Sequence, residues 1–510
     1  EAVLVDPSRL LFRTTLDRLE GYCEGRIKRL MLNLAPEQKR FVDLDHQGAL
    51  LLRGCAGSGK TTVAIYRALR HAETGDRVIF LTFNRTLAAA ARTLLEELIG
   101  PLPQNLHVVH LDAWLMRFLR ERGHALNMIS NDDQRRLIQE ALAEARQKDR
   151  SYVLDWPLSF FRDEIMRVIK GNGLSSDVEY LGIERYGRKT ALRSGARRAV
   201  WAVYQAYQAR LQRQGKLDWA DVALMSYREL LARPLPEPYD HVVVDEAQDL
   251  SAVQLRVAQR LNKGGAASGA NRSLFLVGDV AQTLYSRGFS WKQAGLTLQG
   301  RSFSLRRNFR NTRQIAEAAT VLYANNRWLK SAEEFVDPQF TQRQGPWPIV
   351  LQCGASELEQ QAVTEKILSL VEGGQFRLAD FAILCPTLDL CESFQQALHR
   401  ARLECVMHTE ADFDILEERV KILTVHSAKG LEFPVVCLTG LHAGILPRRV
   451  GRLDDEEEEL QVERDRSLMY VGMTRAAEAL YLVTSRQAPS PFLAELGQMV
   501  RYEPCAGEAT

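Results

Sequence analysis

No apolar run in the sequence reaches the roughly 18 to 20 residues that a membrane span requires, and the amino terminus lacks the charged-then-apolar layout of a secretory leader. The expectation is a cytoplasmic protein with no membrane partner. No C-x-x-C pair occurs among the eight scattered cysteines, which argues against a metal knuckle and reads as a set of reduced thiols. An excess of one charge is missing too: the formal net charge is +2, so any electrostatic signal for a partner has to be local. There is no internal repeat beyond two similar halves. The chain opens on Glu1 rather than Met, and a processed or excised piece of something longer is one expectation.

What is present is ordinary in bulk and specific in pattern. With 46% hydrophobic and 25% charged residues over 510 positions, the composition is that of a globular protein divided into roughly two to four folding units. Residues 8–33 place Leu, Ile and Phe at helical spacing among Arg and Lys, which predicts an amphipathic lead-in helix. Short apolar runs follow, each ended by a polar loop and a helical pattern: ALLL at 49–52, VIFLTF at 78–83, HVVVDE at 241–246 and LFLVGD at 274–279. A second series comprises PIVLQC at 348–353, FAILCP at 381–386, VKILTV at 420–425, FPVVCLTG at 433–440 and ALYLVTS at 479–485. Buried strands alternating with helices predict an α/β fold with two parallel sheets.

The predicted organisation is a helical extension over 1–33, a first domain over 34–111 and 226–300, a helical insertion over 112–225, and a second domain over 301–510. Within the insertion, Glu184 to Lys216 carries nine Lys or Arg against one acid. So lopsided a window favours a polyanion contact over a merely solvated face. The run DDEEEE at 454–459 is read instead as a solvated loop, because six adjacent carboxylates repel and have no evident metal partner.

GCAGSGKTT, Gly54 to Thr62, has the spacing G-x-x-x-x-G-K-T between an apolar strand and an Ala-rich helical pattern, the context a P-loop needs. Gly54, Gly57 and Gly59 let backbone N–H groups face phosphate oxygens, with Ser58 and Thr62 completing the binding stretch. Lys60 would reach the β and γ phosphates of ATP, and Thr61 offers a hydroxyl to Mg2+. VVVDEAQD ends a buried strand with two carboxylates: Asp245 to hold the metal, Glu246 to orient and deprotonate a water. That second group suits hydrolysis and argues against a kinase. Gln282, after the strand LFLVGD, could sense the γ phosphate through its amide.

Taken in order, LAPEQ, GCAGSGKTT, LTFNRTLA, VVVDEAQDLS, LVGDVAQTLY, RRNFRNT, LTVHSAKGLEFPVV and MYVGMTRA resemble the UvrD/Rep/PcrA family of superfamily 1A DNA helicases over nearly all of the chain after residue 33. The resemblance implies two RecA-like domains flanking an ATP cleft. It implies that Gln38 reads the adenine edge, Phe309 stacks on the adenine and Glu432 touches the ribose. It makes Arg310 and Arg475 the arginines brought to the γ phosphate by the second domain, while Arg306, Arg307 and Arg313 crowd the same stretch as Arg310. Phe83, Asn84, Tyr285 and His426 would contact single-stranded DNA, at duplex junctions in some settings. The implied activity is ATP-driven 3′ to 5′ translocation on single-stranded DNA, in repair or a related process.

Three departures stand out. Relatives usually show Y-x-W-R-G-A where this chain reads TLYSRGFSW, with Arg287 at the Trp position and Phe289 or Trp291 as candidates to take over base stacking. The family's T-F-H segment is replaced by VVHLDAW, which leaves the roles of His110, Asp112 and Trp114 open. Only about 14 residues separate Val406 from Val420, room for a loop where relatives insert a 2B subdomain. That counts against strong strand separation by this chain alone. It keeps two alternatives in view: a motor that displaces a protein such as polymerase from nucleic acid, and a nucleotide-gated subunit of a larger repair or defence assembly, with a partner supplying the missing function.

Overall fold

The computed structural model describes residues 34–505, except 84, 186–191, 264–272, 280–288, 327–335, 337, 341–342, 355, 410–412, 414–416 and 450–454. The predicted helix over 8–33 lies outside the described residues. So do Asn84, Gln282, Tyr285 and Arg287.

Two parallel sheets organise the chain. Strands β1 (Ala49–Gly54), β2 (Val78–Thr82), β3 (Leu106–His110), β4 (His241–Val244), β5 (Leu274–Gly278) and β6 (Ser302–Leu305) form the first, in the order β3-β2-β4-β5-β1-β6. Strands β7 (Ile349–Cys353), β8 (Phe381–Cys385), β9 (Cys405–Met407), β10 (Val420–Thr424), β11 (Phe433–Leu438), β12 (Ala476–Ser485) and β13 (Arg501–Pro504) form the second, in the order β13-β7-β12-β11-β8-β10-β9. Every pairing in both is parallel.

Their central strands are apolar on successive residues because both faces are covered. Leu51, Ile79, Val242 and Leu276 enter one core of the first sheet, and Leu52, Phe80, Val243 and Phe275 enter the core on its opposite face. The second sheet divides in the same way, with Leu384, Val436 and Leu482 on one side and Ile383, Cys437 and Val483 on the other. These are the two RecA-like α/β domains that the sequence predicts.

β6 corrects the predicted boundary at residue 301. Leu51↔Ser302 through Gly54↔Leu305 register it against β1, so the chain stays in the first sheet until Leu305. The predicted insertion also divides. Helices Leu111–Glu121 and Trp219–Ala232 contribute Leu115, Phe118, Val222 and Leu230 to a core of the first sheet. A separate core from Ile129 to Leu211 belongs to the helices between them.

The basic window of that helical unit serves largely internal purposes. Arg185 forks onto Glu164, Nε to Oε1 at 2.6 Å and Nη2 to Oε2 at 2.9 Å, and Tyr180 donates its hydroxyl to the same carboxylate at 2.8 Å. Arg197 caps the carbonyls of Tyr180, Leu181 and Ile183, Arg210 meets Glu144 at 2.8 Å, and Lys216 meets Asp133 at 3.1 Å. The acids lie outside the window, which is why a count along the sequence overstated the free charge. Arg193, Arg198 and Arg213 are exposed, and Arg188 and Lys189 lie outside the described residues.

Arg185 and Glu164 are both buried, so removing one partner strands a charge in the core. Arg185→Ala should cost about 3–5 kcal/mol in urea denaturation, and the double change Arg185→Met with Glu164→Leu markedly less.

Two further expectations are corrected. From Asp455 on, the acidic run expected as a loop is instead helical, the start of Asp455–Met473, while Asp454 lies outside the described residues. Carboxylates in a first turn are stabilised by the helix dipole, an attraction that a reading based on their mutual repulsion omits. And Cys353, at the end of β7, is joined to Cys505, just past β13, rather than held as a free thiol; Cys55, Cys385, Cys391 and Cys437 are free and buried, and Cys405 is buried. Among the described residues no helix is long and apolar enough to cross a membrane.

Candidate functional site

In parallel sheets the loops that bind ligands leave the carboxyl ends of the strands, and here those ends carry the P-loop and the paired carboxylates that the sequence singles out. β1 runs into Cys55–Gly59 and then the helix Lys60–Glu73. Gly57 (φ 71°) and Gly59 (φ 77°) take left-handed backbone that a β-carbon disfavours. Space is equally restrictive: a β-carbon on Gly57 would lie 2.5 Å from Asn308 Oδ1 and 2.6 Å from Arg310 Cβ, and one on Gly59 2.2 Å from Gln38 Nε2. Lys60 folds back over this loop, donating to the carbonyls of Gly54 (2.9 Å) and Cys55 (2.8 Å) with Asp279 at 3.5 Å. Ser58 Oγ is buried without a partner, and Thr62 is half-buried one residue after Thr61.

β4 delivers the carboxylates. Asp245 hydrogen-bonds through its side chain to Thr61 and accepts from the Glu246 N–H at 3.0 Å, yet its Oδ2 is buried with no partner. Burial and then the adjacent Glu246 push Asp245 up to about 7. An orphaned carboxylate oxygen beside a threonine hydroxyl is a donor set that fits a hard cation such as Mg2+.

Glu246 has φ 53° and ψ 39°, left-handed backbone in a residue that is not glycine, which costs energy of order 1–3 kcal/mol. That turn aims its carboxylate into the space between the sheets. Gln248 Nε2 donates to Glu246 Oε2, while Gln248 Oε1 accepts from the Asp279 N–H at 3.1 Å. Burial opposes the ionisation of Glu246, but Lys429 first, then Lys60, Gln248 and Arg475, outweigh it and hold the carboxyl below its ordinary range.

Two of those cations come from the second domain. Lys429 Nζ lies 2.5 Å from Asp249 Oδ2 and 3.6 Å from Glu246 Oε2. These carboxylates overcome burial and raise the lysine above its usual range. Arg475 is buried; its Nε donates to Val471 O (3.0 Å), Nη1 to Leu431 O (3.1 Å) and Nη2 to Thr474 Oγ1 (3.1 Å). Arg310 Nε donates to Glu432 Oε2 at 2.6 Å. The apolar rim is shared: Ala56, Leu87 and Ala90 of the first domain lie in the same core as Leu423, Leu438 and Met469 of the second.

The chain crossing from β6 is itself bonded to the phosphate loop. Cys55 N donates to Leu305 O at 3.2 Å, Cys55 Sγ to Arg306 O at 3.0 Å, and Phe309 N to Gly57 O at 2.8 Å. Phe309 is half-buried with the Arg307 guanidinium carbon 5.2 Å from its ring centre. Gln38 accepts from Ala35 N and donates to Ser58 O, each at 2.8 Å, so its amide sits against the phosphate loop with one lone pair and one N–H unused by these two bonds.

Across the strand tips, Phe83 is half-buried beyond β2, and His110, at the end of β3, lies 3.7 Å from Asp112 while its ring bonds the Phe83 backbone. Asp112 is further held by Gln254 at 3.1 Å. His426 follows β10; burial, then Arg448, Lys429 and Arg167, push it down to about 4, which leaves it neutral near pH 7. Trp114 is core, stacked on Phe118, and Phe289 is 1 % exposed, so neither is available for base stacking. Trp291 is only partly buried.

Lys429, Asp249, Gln248 and Asn308 were assigned no role from the sequence although all four fall inside its motifs. The only signal for them was their place within SAKG, DEAQD and RRNFRNT.

Residues 34–298 match the family model described as the UvrD/REP helicase N-terminal domain, and residues 408–487 match the UvrD-like helicase C-terminal domain. The chain is 26% identical over 402 residues to the ATP-dependent DNA helicase UvrD1 of Mycobacterium tuberculosis, covering 73% of this chain and 49% of that protein. It is 25% identical over 399 residues to DNA helicase II of Escherichia coli, covering 73% and 51%. It thus spans about half the length of the curated relatives it matches. A phosphate loop, a paired carboxylate and two arginine-bearing turns closing on one another in the family's order, with the family model matching from 34 to 298, mean that the chain belongs to the UvrD/Rep helicase family.

Proposed function

We propose that this chain is an ATP-driven motor that moves along single-stranded DNA, 3′ to 5′, by hydrolysing ATP between its two RecA-like domains. The observation that carries this reading is the meeting of Glu246, on the first domain, with Lys429 and the field of Arg475, on the second, in one buried cluster. Chemistry that needs both halves can be switched by their approach.

In this reading Lys60 leaves the loop carbonyls to hold the β and γ phosphates, and the N–H groups around Gly57 and Gly59 cradle them. Thr61 and Asp245 would hold Mg2+, which neutralises charge across the β and γ oxygens when bound. Glu246 accepts a proton from the attacking water at its carboxylate, whose direction Gln248 fixes. Arg475 and Arg310 supply positive charge across the cleft; for Arg310 this requires release of Glu432, which then becomes available to the ribose. Gln38 offers its unused lone pair and N–H to adenine, with Phe309 as the stacking surface. Gln282 senses the γ phosphate. Phe83, Asn84, Tyr285 and His426 bear on the DNA. A cytoplasmic setting, with repair as its context, belongs to the same proposal.

The closeness of β9 and β10, parallel neighbours joined through 408–419, favours translocation with a protein partner over strand separation by the chain alone. ATP turnover measured with single-stranded DNA, single-stranded RNA and no polymer, at two salt concentrations, tests the proposal. DNA is expected to raise turnover sharply, and its apparent affinity to fall steeply with salt as phosphate contacts are lost. Turnover indifferent to polymer would overturn the motor reading.

A further inference from the structure

Far from the cleft, the amino-terminal end of the first sheet's strands brings together three groups with no part in the chemistry above. His71 closes the helix Lys60–Glu73, Asp76 lies in the turn after it, and His241 opens β4. One potential ligand atom from each lies within 4.8 Å of the others. His241 Nε2 is 3.1 Å and His71 Nδ1 3.9 Å from Asp76 Oδ2. The two imidazoles stack with centroids 3.5 Å apart and planes inclined by 15°.

We propose that His71, Asp76 and His241 form a binding site for a divalent transition-metal ion of the zinc class, with solvent completing its coordination. Two nitrogens and one carboxylate oxygen are a donor set that zinc accepts while keeping a position open. Access is graded accordingly: the side chains of His71 and His241 are 8% and 17% exposed, and that of Asp76 is 41% exposed. The nitrogens that face Asp76, His71 Nδ1 and His241 Nε2, are the ones a metal would take, and the opposite ring nitrogens, His71 Nε2 and His241 Nδ1, are buried without hydrogen-bond partners, so no second bond fixes the orientation of either ring. Burial lowers both imidazoles, His71 to about 3, so each is the neutral ligand form at neutral pH.

The surrounding charges bear on the cation. Arg70 is offset by Asp45 at 3.1 Å and Asp43 at 4.0 Å, and Asp240 by Lys263 at 2.6 Å. Arg67 is the opposing charge that remains, turned away onto the carbonyls of Phe41 (2.9 Å) and Leu44 (2.6 Å). The neighbouring His46 is pushed down to about 3, mainly by burial, and adds no charge near pH 7. Binding requires the stacked rings to tilt so that their lone pairs converge. The metal would then clasp the far end of the helix that starts at Lys60 to the start of the strand that ends just before Asp245. It would sit a helix length, about 20 Å, from the phosphate loop.

The test titrates the full chain, stripped of metal, with zinc chloride and separately with Co2+, in the absence of nucleotide. One equivalent is expected to bind, the visible Co2+ bands carrying no thiolate charge transfer, and zinc should raise the melting temperature. Asp76→Asn, on the most exposed ligand, and His71→Gln should each weaken binding by at least about tenfold. If His71→Gln does not fold, Asp76→Asn decides alone. Failure of the chain to take up one equivalent, or uptake unchanged in Asp76→Asn, would overturn the site.

Discussion

Glu246→Gln is expected to lower DNA-stimulated ATP turnover by about 10²- to 10⁴-fold, the range lost with a positioned general base. The replacement keeps the shape and the left-handed turn but has no carboxylate to take a proton. Its consequences should be confined. Lys429 retains its 2.5 Å contact with Asp249, and the phosphate loop is untouched. Nucleotide and DNA affinities should therefore stay near those of the parent, and single-turnover hydrolysis measured beside equilibrium nucleotide binding separates the two effects. Lys60→Ala should also abolish turnover, but with a large loss of nucleotide affinity. Turnover persisting in both variants would remove Glu246 and Lys60 from the mechanism together.

Arg475→Ala should reduce turnover by about 10³- to 10⁵-fold, the span associated with an arginine presented to a transferring phosphoryl group. Lysine is not expected to restore it. Three different guanidinium nitrogens are engaged at once, by Val471 O, Leu431 O and Thr474 Oγ1, and an ammonium cannot match that planar fork. The split between kcat and KM tests the role: a finger acting in the transition state lowers kcat with little change in KM. Because the side chain is buried, the variant's melting temperature belongs beside its rate, so that lost folding is not mistaken for lost catalysis.

The centre of each sheet was readable because strands covered on both faces leave unbroken apolar runs, as in ALLL before the phosphate loop and VVV before Asp245. The edges were not. β6 reads SFSL and is only partly buried, while the residues of β13 are mostly exposed, so neither carries the signature that revealed their neighbours. Cys353 and Cys505 meet only because β13 pairs with β7, a contact across 152 residues that spacing alone could not suggest. The site divided along similar lines. Glycines and charged residues at motif positions were legible as candidates. Residues that act by holding others were not: Gln248 on Glu246, Asn308 on the Arg310 N–H at 2.9 Å, and Lys429 between two acids. Their importance resides in partners that are remote along the chain or disposed by the turn of a backbone.

The hydrogen bond from Phe309 to Gly57 ties the chain that crosses between the two domains to the phosphate loop. Three bonds tether the crossing chain there, Cys55 N to Leu305 O, Cys55 Sγ to Arg306 O and Phe309 N to Gly57 O, so on the motor reading proposed above a shift of the loop around a nucleotide would reach the second domain through its own covalent leash.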